Sequence, residues 1–414
     1  MKIELLQAHH ALPCAAALEV AALVKLGAEV TGGGPRAGAL HVGFCLDQSG
    51  SMGDASGISG MTKLDALKAA VQASLELLQD WQTTVTISAF DDGETSICVR
   101  QPLGLPSLTQ QLSARVEKLR ANSGTGAKSA VKPVLEALVP HDHAARRLII
   151  VTDGEFNSDS VKPCKTLAQR AGEAGVAVWA FATGVSYNEA YLRELVGLGA
   201  AGGMFCHIQD LSALRQTLQQ ELAAVATASE TLVDVRLAAG PGCELLEVVR
   251  LTPSQAPLVG QPVQRTHDHL DVLDARGQAY VVRIRACGLP PGIHGLLDVN
   301  VQWTEGAQRH VHDGKISLDV LAAGAAVPAA NGQVLTTVLA ARAAQATVMG
   351  NAVLATQLYA AAGQTQLAGK LSALGTALPS GSDAARALRT EVLGSTRLVA
   401  LGTAQPAGNR GGTP

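Results

Sequence analysis

The sequence predicts an α/β protein: a doubly wound, mainly parallel sheet between helices, joined to an antiparallel β-sandwich and a helical C-terminal region. Three observations carry this. Residues 41–226 alternate short apolar runs with amphipathic stretches, as strand–helix units do. From Thr231 the period falls to two, and from Val334 the chain turns Ala-rich and helical.

Taken in order, the first 38 residues read as extended and are expected to add one or two strands to the sandwich. The α/β domain, 39–226, is then an insertion ahead of the remaining sandwich, 227–322. HVGFCL (41–46), TTVTISAF (83–90), RRLIIVT (146–152) and VAVWAFA (176–182) are apolar runs suited to buried strands. A helix from about Thr62 places Leu64, Leu67, Val71, Leu75 and Leu78 on one stripe, and another after Asp210 does so with Leu211, Leu214, Leu218, Leu222 and Val225.

In the sandwich, TLVDVRLA, CELLEVVRL, AYVVRIRA, GLLDVNVQW and KISLDVL alternate apolar with polar. Val299, Val301 and Trp303 face one way, and Asp298, Asn300 and Gln302 the other. In the region 323–402, residues 334–362 read as one helix with Arg342 its only charge, so most of its surface must be covered by the sandwich or by a partner helix. A shorter helix follows. After Pro379-Ser380-Gly381 a last helix starts at Ser382 or Asp383, and 403–414 reads as a disordered tail.

Composition narrows the function. The 414 residues suit two to four domains, and 47% hydrophobic against 16% charged residues can build a sizeable core. With 32 Lys and Arg against 35 Asp and Glu, the formal charge of −3 lacks the basic excess of a nucleic-acid binder. Aromatics at 3% leave little for stacking on bases or sugars. Cys14, Cys45, Cys98, Cys164, Cys206, Cys243 and Cys287 are scattered without a C-x-x-C pair, so they read as small buried hydrophobes. Glu4, His9, His10 and Glu19 interrupt any signal-peptide core, and no membrane span is expected, which points to the cytoplasm.

The chemistry gathers in three segments. Leu46-Asp47-Gln48-Ser49-Gly50-Ser51 sets an Asp at a strand end with hydroxyls two and four residues on. Ser123-Gly124-Thr125-Gly126 precedes a helix, and LIIVTDGEFN puts Asp153 at the end of another strand. Ligands of open α/β sheets bind beyond such carboxyl ends. Two carboxylates and three hydroxyls without Cys or His make a hard oxygen site, suited to Mg²⁺ and also to Mn²⁺ or Ca²⁺.

Rival motifs are incomplete. A haloacid-dehalogenase-type phosphatase needs a second Asp where Ser49 stands. SGTGAKS (123–129) lacks the G-K-[ST] core of a P-loop, and no G-x-S-x-G elbow is present. His267-x-His269 and His310-x-His312, with Asp268 and Asp313 adjacent, raise a shared zinc site against the blander reading of solvated surface. Arg146 and Arg147, with His141 and His143, read as a solvated strand entry.

D-x-S-x-S, a later Thr in a Gly-rich loop and T-D-G after a strand resemble the metal-ion-dependent adhesion site of von Willebrand factor A (VWA) domains. All five positions match: Asp47, Ser49, Ser51, Thr125 and Asp153. The resemblance spans about residues 40–226 and implies a Rossmann-like sheet. It also implies that the two Ser and the Thr contact a metal directly or nearly so, that the two Asp act mostly through water, and that a partner's acidic side chain completes the shell. LDQSGSM, SAFDD, TDGEFN, GVSYNEAYLRELVGLGAAGGMFCHI and LQQEL, followed by a β-rich region, resemble cytosolic bacterial VWA proteins of the inter-α-trypsin-inhibitor and chloride-channel-like group. The implied function is a Mg²⁺-dependent protein-binding module, not an enzyme, whose partner presents Asp or Glu. An AAA+ ATPase or a stress-response component is the partner the group suggests, with no nucleic acid and no membrane. A metal-dependent phosphatase-like hydrolase and a scaffold with a vestigial metal site are the alternatives.

Overall fold

The computed structural model describes residues 1–377 apart from 29–39, 57–59, 82, 141–144, 154–155, 184–187, 201, 209–210, 227, 229, 252–255, 260, 274–276, 306–307 and 349–350. The expected helix at 382–401 and the tail at 403–414 lie outside these residues, as do His141 and His143.

Strands β1 (Lys2–Gln7), β2 (Ala11–Pro13) and β3 (Ala17–Gly27) open the chain. The α/β domain runs β4 (Leu40–Asp47), α1 (Lys63–Asp80), β5 (Thr84–Phe90), β6 (Glu94–Pro102), α2 (Pro106–Glu117), α3 (Lys128–Leu138) and β7 (Ala145–Thr152). It continues through α4 (Ser158–Glu173), β8 (Ala177–Thr183), α5 (Glu189–Leu198), β9 (Met204–Ile208) and α6 (Leu211–Ala226). Its sheet has the order β6-β5-β4-β7-β8-β9, parallel except for the antiparallel edge strand β6.

Alternation along the strands feeds two cores. Val42, Phe44 and Leu46 of β4 meet the stripe of α1, with α2 and α6 on the same face. Cys45 of β4, with Leu148 and Ile150 of β7, faces α3, α4 and α5. Each buried Leu, Val or Phe contributes about 1.5–3 kcal/mol over its exposed state. Gly43 is required where α3 crosses β4: a Cβ there would lie 2.4 Å from Val134 Cγ1 and 2.8 Å from Leu138 Cδ1.

The rest of the chain forms β10 (Glu230–Ala239), β11 (Cys243–Arg250), β12 (Ala256–Val259), β13 (Arg265–Leu273), β14 (Gln278–Cys287), β15 (Gly292–Glu305) and β16 (Gln308–Leu321). Two sheets, β1-β3-β14-β11-β12 and β13-β10-β15-β16-β2, enclose a common apolar core. The α/β domain is inserted between β3 and β10.

Helices α7 (Gly332–Val348), α8 (Ala352–Ala361) and α9 (Thr365–Ala377) follow. Val334, Val338 and Ala341 of α7 lie on the outer face of the first sheet, against Leu23, Val249 and Val281. Another side of α7 meets α8 through Ala340, Ala343, Ala344, Ala355 and Tyr359, and α8 in turn packs on α9. The single helix expected over 334–362 is therefore two. Asn351 caps the second, its side chain accepting from Leu354 N at 3.1 Å.

Three further expectations change. Arg146 and Arg147 are not a solvated entry, being 5% and 1% exposed. Arg146 donates to the carbonyls of Leu138, Val139 and Ala174 at 3.2, 2.9 and 2.6 Å, satisfying the C-terminal ends of α3 and α4. Arg147 places its guanidinium 5.4 Å from the Trp179 ring centre. Cys14 and Cys287 are exposed, whereas Cys45, Cys98, Cys164 and Cys243 are buried.

The shared zinc site falls on register. Asp234 pairs with both His269 and Gln302, and Gln302 with Val311, so the His267 and His269 side chains share the face of Val311. His310 and His312 occupy the opposite face, and three ladder steps of about 4.8 Å separate their strand from β13. His310 instead stacks on Trp303, ring centres 5.1 Å apart. Asp268 is committed to a buried cluster, accepting from Arg250 at 3.0 Å and from Tyr280 at 3.0 Å.

Candidate metal-binding site

Strand order reverses at β4, which has β5 on one side and β7 on the other. A crevice opens at such a switch point, beyond the carboxyl ends of the strands. Asp47 is the last residue of β4, and Asp153 directly follows β7. Two adjacent strands thus deliver one carboxylate each to the same end of the sheet.

Asp47 is fully buried. Its Oδ1 accepts from Ser49 N at 2.8 Å and its Oδ2 from the Thr152 hydroxyl at 2.6 Å. Burial pushes its pKa up to about 6, the Thr152 and Ser49 hydrogen bonds resist, and the Asp153 charge adds to the rise. Beyond Ser49, one turn of 3-10 helix (Gly50–Gly53) sinks Met52 into the core and turns Ser51 back toward the crevice. The Ser49 and Ser51 hydroxyls are 3.1 Å apart, and Ser51 donates to Asp153 Oδ1 at 2.8 Å.

Thr125 arrives on a separate loop. Asn122 N donates to Gln48 O at 2.7 Å, Gly126 N to Asp91 O, and Asn157 N to Thr125 O at 3.3 Å, which ties this loop to the neighbouring ones. Gly124 has φ +87°, a conformation that strains any L side chain, and a Cβ on it would also displace the Asp92 carboxylate, 1.7 Å from its Oδ1, so glycine is favoured there. Asp91 braces the same turn: burial works to raise its pKa, but hydrogen bonds from Gly93, Asn122 and Gln48 hold it below the usual value. The structure joins Asp47, Ser49, Ser51 and Asp153 in one hydrogen-bonded chain. The half-buried Thr125 side chain is not part of that chain.

Two participants escaped the sequence reading. Thr152 is the clasp on Asp47. Lys63, the first residue of α1, reaches Asp153 Oδ2 with its ammonium at 2.5 Å and stands 3.8 Å from Asp54 Oδ2. The signal for Lys63 was electrostatic: a cation opposes the macrodipole at a helix N-terminus and calls for a carboxylate beside it. Its backbone is pinned by a capping box in which Thr62 Oγ1 accepts from Asp65 N and Asp65 Oδ2 accepts from Thr62 N, both at 3.1 Å.

The donor set fits a hard divalent cation. Its side chains present only oxygen, Asp47 is a buried carboxylate without an ion-pair partner among the described residues, and Asp153 already attracts a cation. It differs from carboxylate- or thiolate-rich centres, and among the described residues no cluster of three or more His, Cys, Asp or Glu is placed to hold a metal.

A family model for the von Willebrand factor type A domain matches residues 42–155. A von Willebrand factor type A structure from Catenulispora acidiphila superposes with TM-score 0.70 at 15% identity, covering 94% of this chain and 96% of that one. The ArnB paralog VWA2 from Sulfolobus acidocaldarius superposes with TM-score 0.57 at 16% identity, covering 96% and 98%. The human COPII-coat protein Sec24c gives 0.54 at 11% identity, covering 91% of this chain and 60% of its own. At these identities the likeness concerns the fold. No curated protein matches the chain significantly. Domains of this type are generally protein-interaction modules. Among the described residues no helix is long and apolar enough to cross a membrane.

Proposed function

We propose that this von Willebrand factor type A domain is a metal-dependent protein-binding module, with a divalent cation held by Ser49, Ser51 and Thr125 and supported by Asp47 and Asp153. The observation that carries the reading is the convergence of Asp47, Ser49, Ser51 and Asp153 at the switch point between β4 and β7. Bound there, Mg²⁺, Mn²⁺ or Ca²⁺ supplies an electrophilic position for a carboxylate of another protein. The chain's own residues do the rest. Asp47 fixes the Ser49 loop through its backbone, Thr152 orients Asp47, and Ser51 and Asp153 hold one another in place.

The partner presents Asp or Glu, and no turnover accompanies capture. The motif arrangement provides neither a nucleophile nor a base positioned against the metal set. The segments flanking the site suggest bacterial cytosolic relatives and, as partner, an AAA+ ATPase or a stress-response component. One observation favours a second reading, a scaffold with a vestigial site: the Lys63 ammonium already sits against Asp153. Titration calorimetry with MgCl2 and MnCl2 separates the two. The module binds the ion and loses most of that affinity in Asp47→Ala, whereas a scaffold gives no heat. Phosphate-ester hydrolysis abolished by Asp47→Asn would instead favour the hydrolase.

A further inference from the structure

We infer that Lys63 is a built-in counter-ion of the site, holding Asp153 when no divalent cation is bound and turning to Asp54 when one is, and so setting the affinity for the ion. This role rests on the metal-site reading above. The two carboxylates differ in how they are compensated. Asp47 accepts from the neutral donors of Ser49 and Thr152, while Asp153 accepts the Ser51 hydroxyl on one oxygen and the Lys63 ammonium on the other. The Asp153 side chain is 1% exposed, so an ionised carboxylate there needs a positive partner. Without added metal, Lys63 is that partner.

Its location follows from the sequence around it. The capping box of Thr62 and Asp65 fixes the first turn of α1, and this sets the base of the Lys63 stem. Lys63 Nζ then ends a continuous run of polar atoms, Ser49 Oγ–Ser51 Oγ–Asp153–Lys63. A dication bound beside the two serine hydroxyls would share Asp153 with this ammonium, and the two like charges would repel in a partly buried setting.

A retreat is available. The lysine stem is flexible and its ammonium carries three rotatable donors. Asp54 Oδ2 is already 3.8 Å from Nζ, and its side chain is 71% exposed, so a closer pair with Lys63 there forms at little desolvation cost. One ammonium between two carboxylates, one buried and one at the surface, is suited to exchange its buried partner for a metal.

The test uses the full chain and MnCl2 as probe. Titration calorimetry compares wild type with Lys63→Met, Lys63→Arg, Asp54→Asn and the Lys63→Met/Asp54→Asn pair, with circular dichroism reporting fold. Lys63→Met is expected to bind Mn²⁺ about tenfold more tightly, and Lys63→Arg to stay near wild type. Asp54→Asn is expected to weaken binding when Lys63 is present and to matter less in Lys63→Met, a non-additivity that simple loss of charge does not produce. In EDTA, Lys63→Met should melt lower than wild type, and MnCl2 should raise its melting temperature more.

The outcomes separate cleanly. Equal or weaker Mn²⁺ binding in a folded Lys63→Met, with wild type binding, overturns the counter-ion role and leaves the metal site standing. Binding seen only after Lys63 is replaced supports it in its strongest form. Silence in both proteins removes the metal site and this role together. Should Lys63→Met fail to fold, an unchanged Mn²⁺ affinity in the surface variant Asp54→Asn is enough to overturn the exchange.

Discussion

The Thr152 hydroxyl donates to Asp47 Oδ2 at 2.6 Å, clasping the last residues of two neighbouring parallel strands. The bond is fully buried and its acceptor is a carboxylate, which places it among the stronger hydrogen bonds in a protein. It also explains why a Thr precedes Asp153. One residue of the T-D-G segment orients the first carboxylate and the next supplies the second.

Thr152→Val keeps the side-chain shape and removes the donor. Stability to urea at pH 7 in EDTA should fall by about 2 kcal/mol, the usual worth of a buried hydrogen bond to a charged group. Metal affinity should also fall, because Asp47 then loses its orientation. A variant as stable as wild type would mean that the clasp contributes nothing.

The Asp47 carboxyl titrates at about 6 in the folded protein against an ordinary value of 3.8. The folded state therefore binds this proton more tightly than the unfolded chain does. Its stabilising contribution is complete below about pH 4 and is lost as pH rises to about 6, by about 3 kcal/mol in all. Asp47→Asn cannot titrate. Without metal, the stability of wild type relative to Asp47→Asn should thus decline across that interval, and parallel curves for the two proteins would refute the shift.

Arg146 holds three helix-end carbonyls, so Arg146→Met should leave them unpaired beneath α3 and α4. The expected loss is about 3 kcal/mol in urea unfolding. A loss under about 0.5 kcal/mol would restore the solvated strand entry that the sequence suggests.

What the sequence decided by itself was what short-range pattern can encode. Leu64, Leu67, Val71, Leu75 and Leu78 specify a buried helical stripe through spacing alone, and β4, β7 and β8 announce themselves as apolar runs. The D-x-S-x-S spacing likewise singles out Asp47, Ser49 and Ser51, because residues so close in sequence must share one loop.

Tertiary structure decided whatever depends on partners far along the chain. Arg146 and Arg147 look like surface residues until helix ends and an indole are packed around them. The two histidine pairs look alike until register sends them to opposite faces of a sheet. Residues 334–362 look continuous, yet Asn351 begins a second helix that can fold back on the first. Lys63 is an unremarkable helix-start lysine until α1 is set beside the end of β7, 90 residues later in the chain. Spacing records neighbours along the chain, whereas the compensation of a buried charge is settled by whichever group the fold brings within a few ångströms of it.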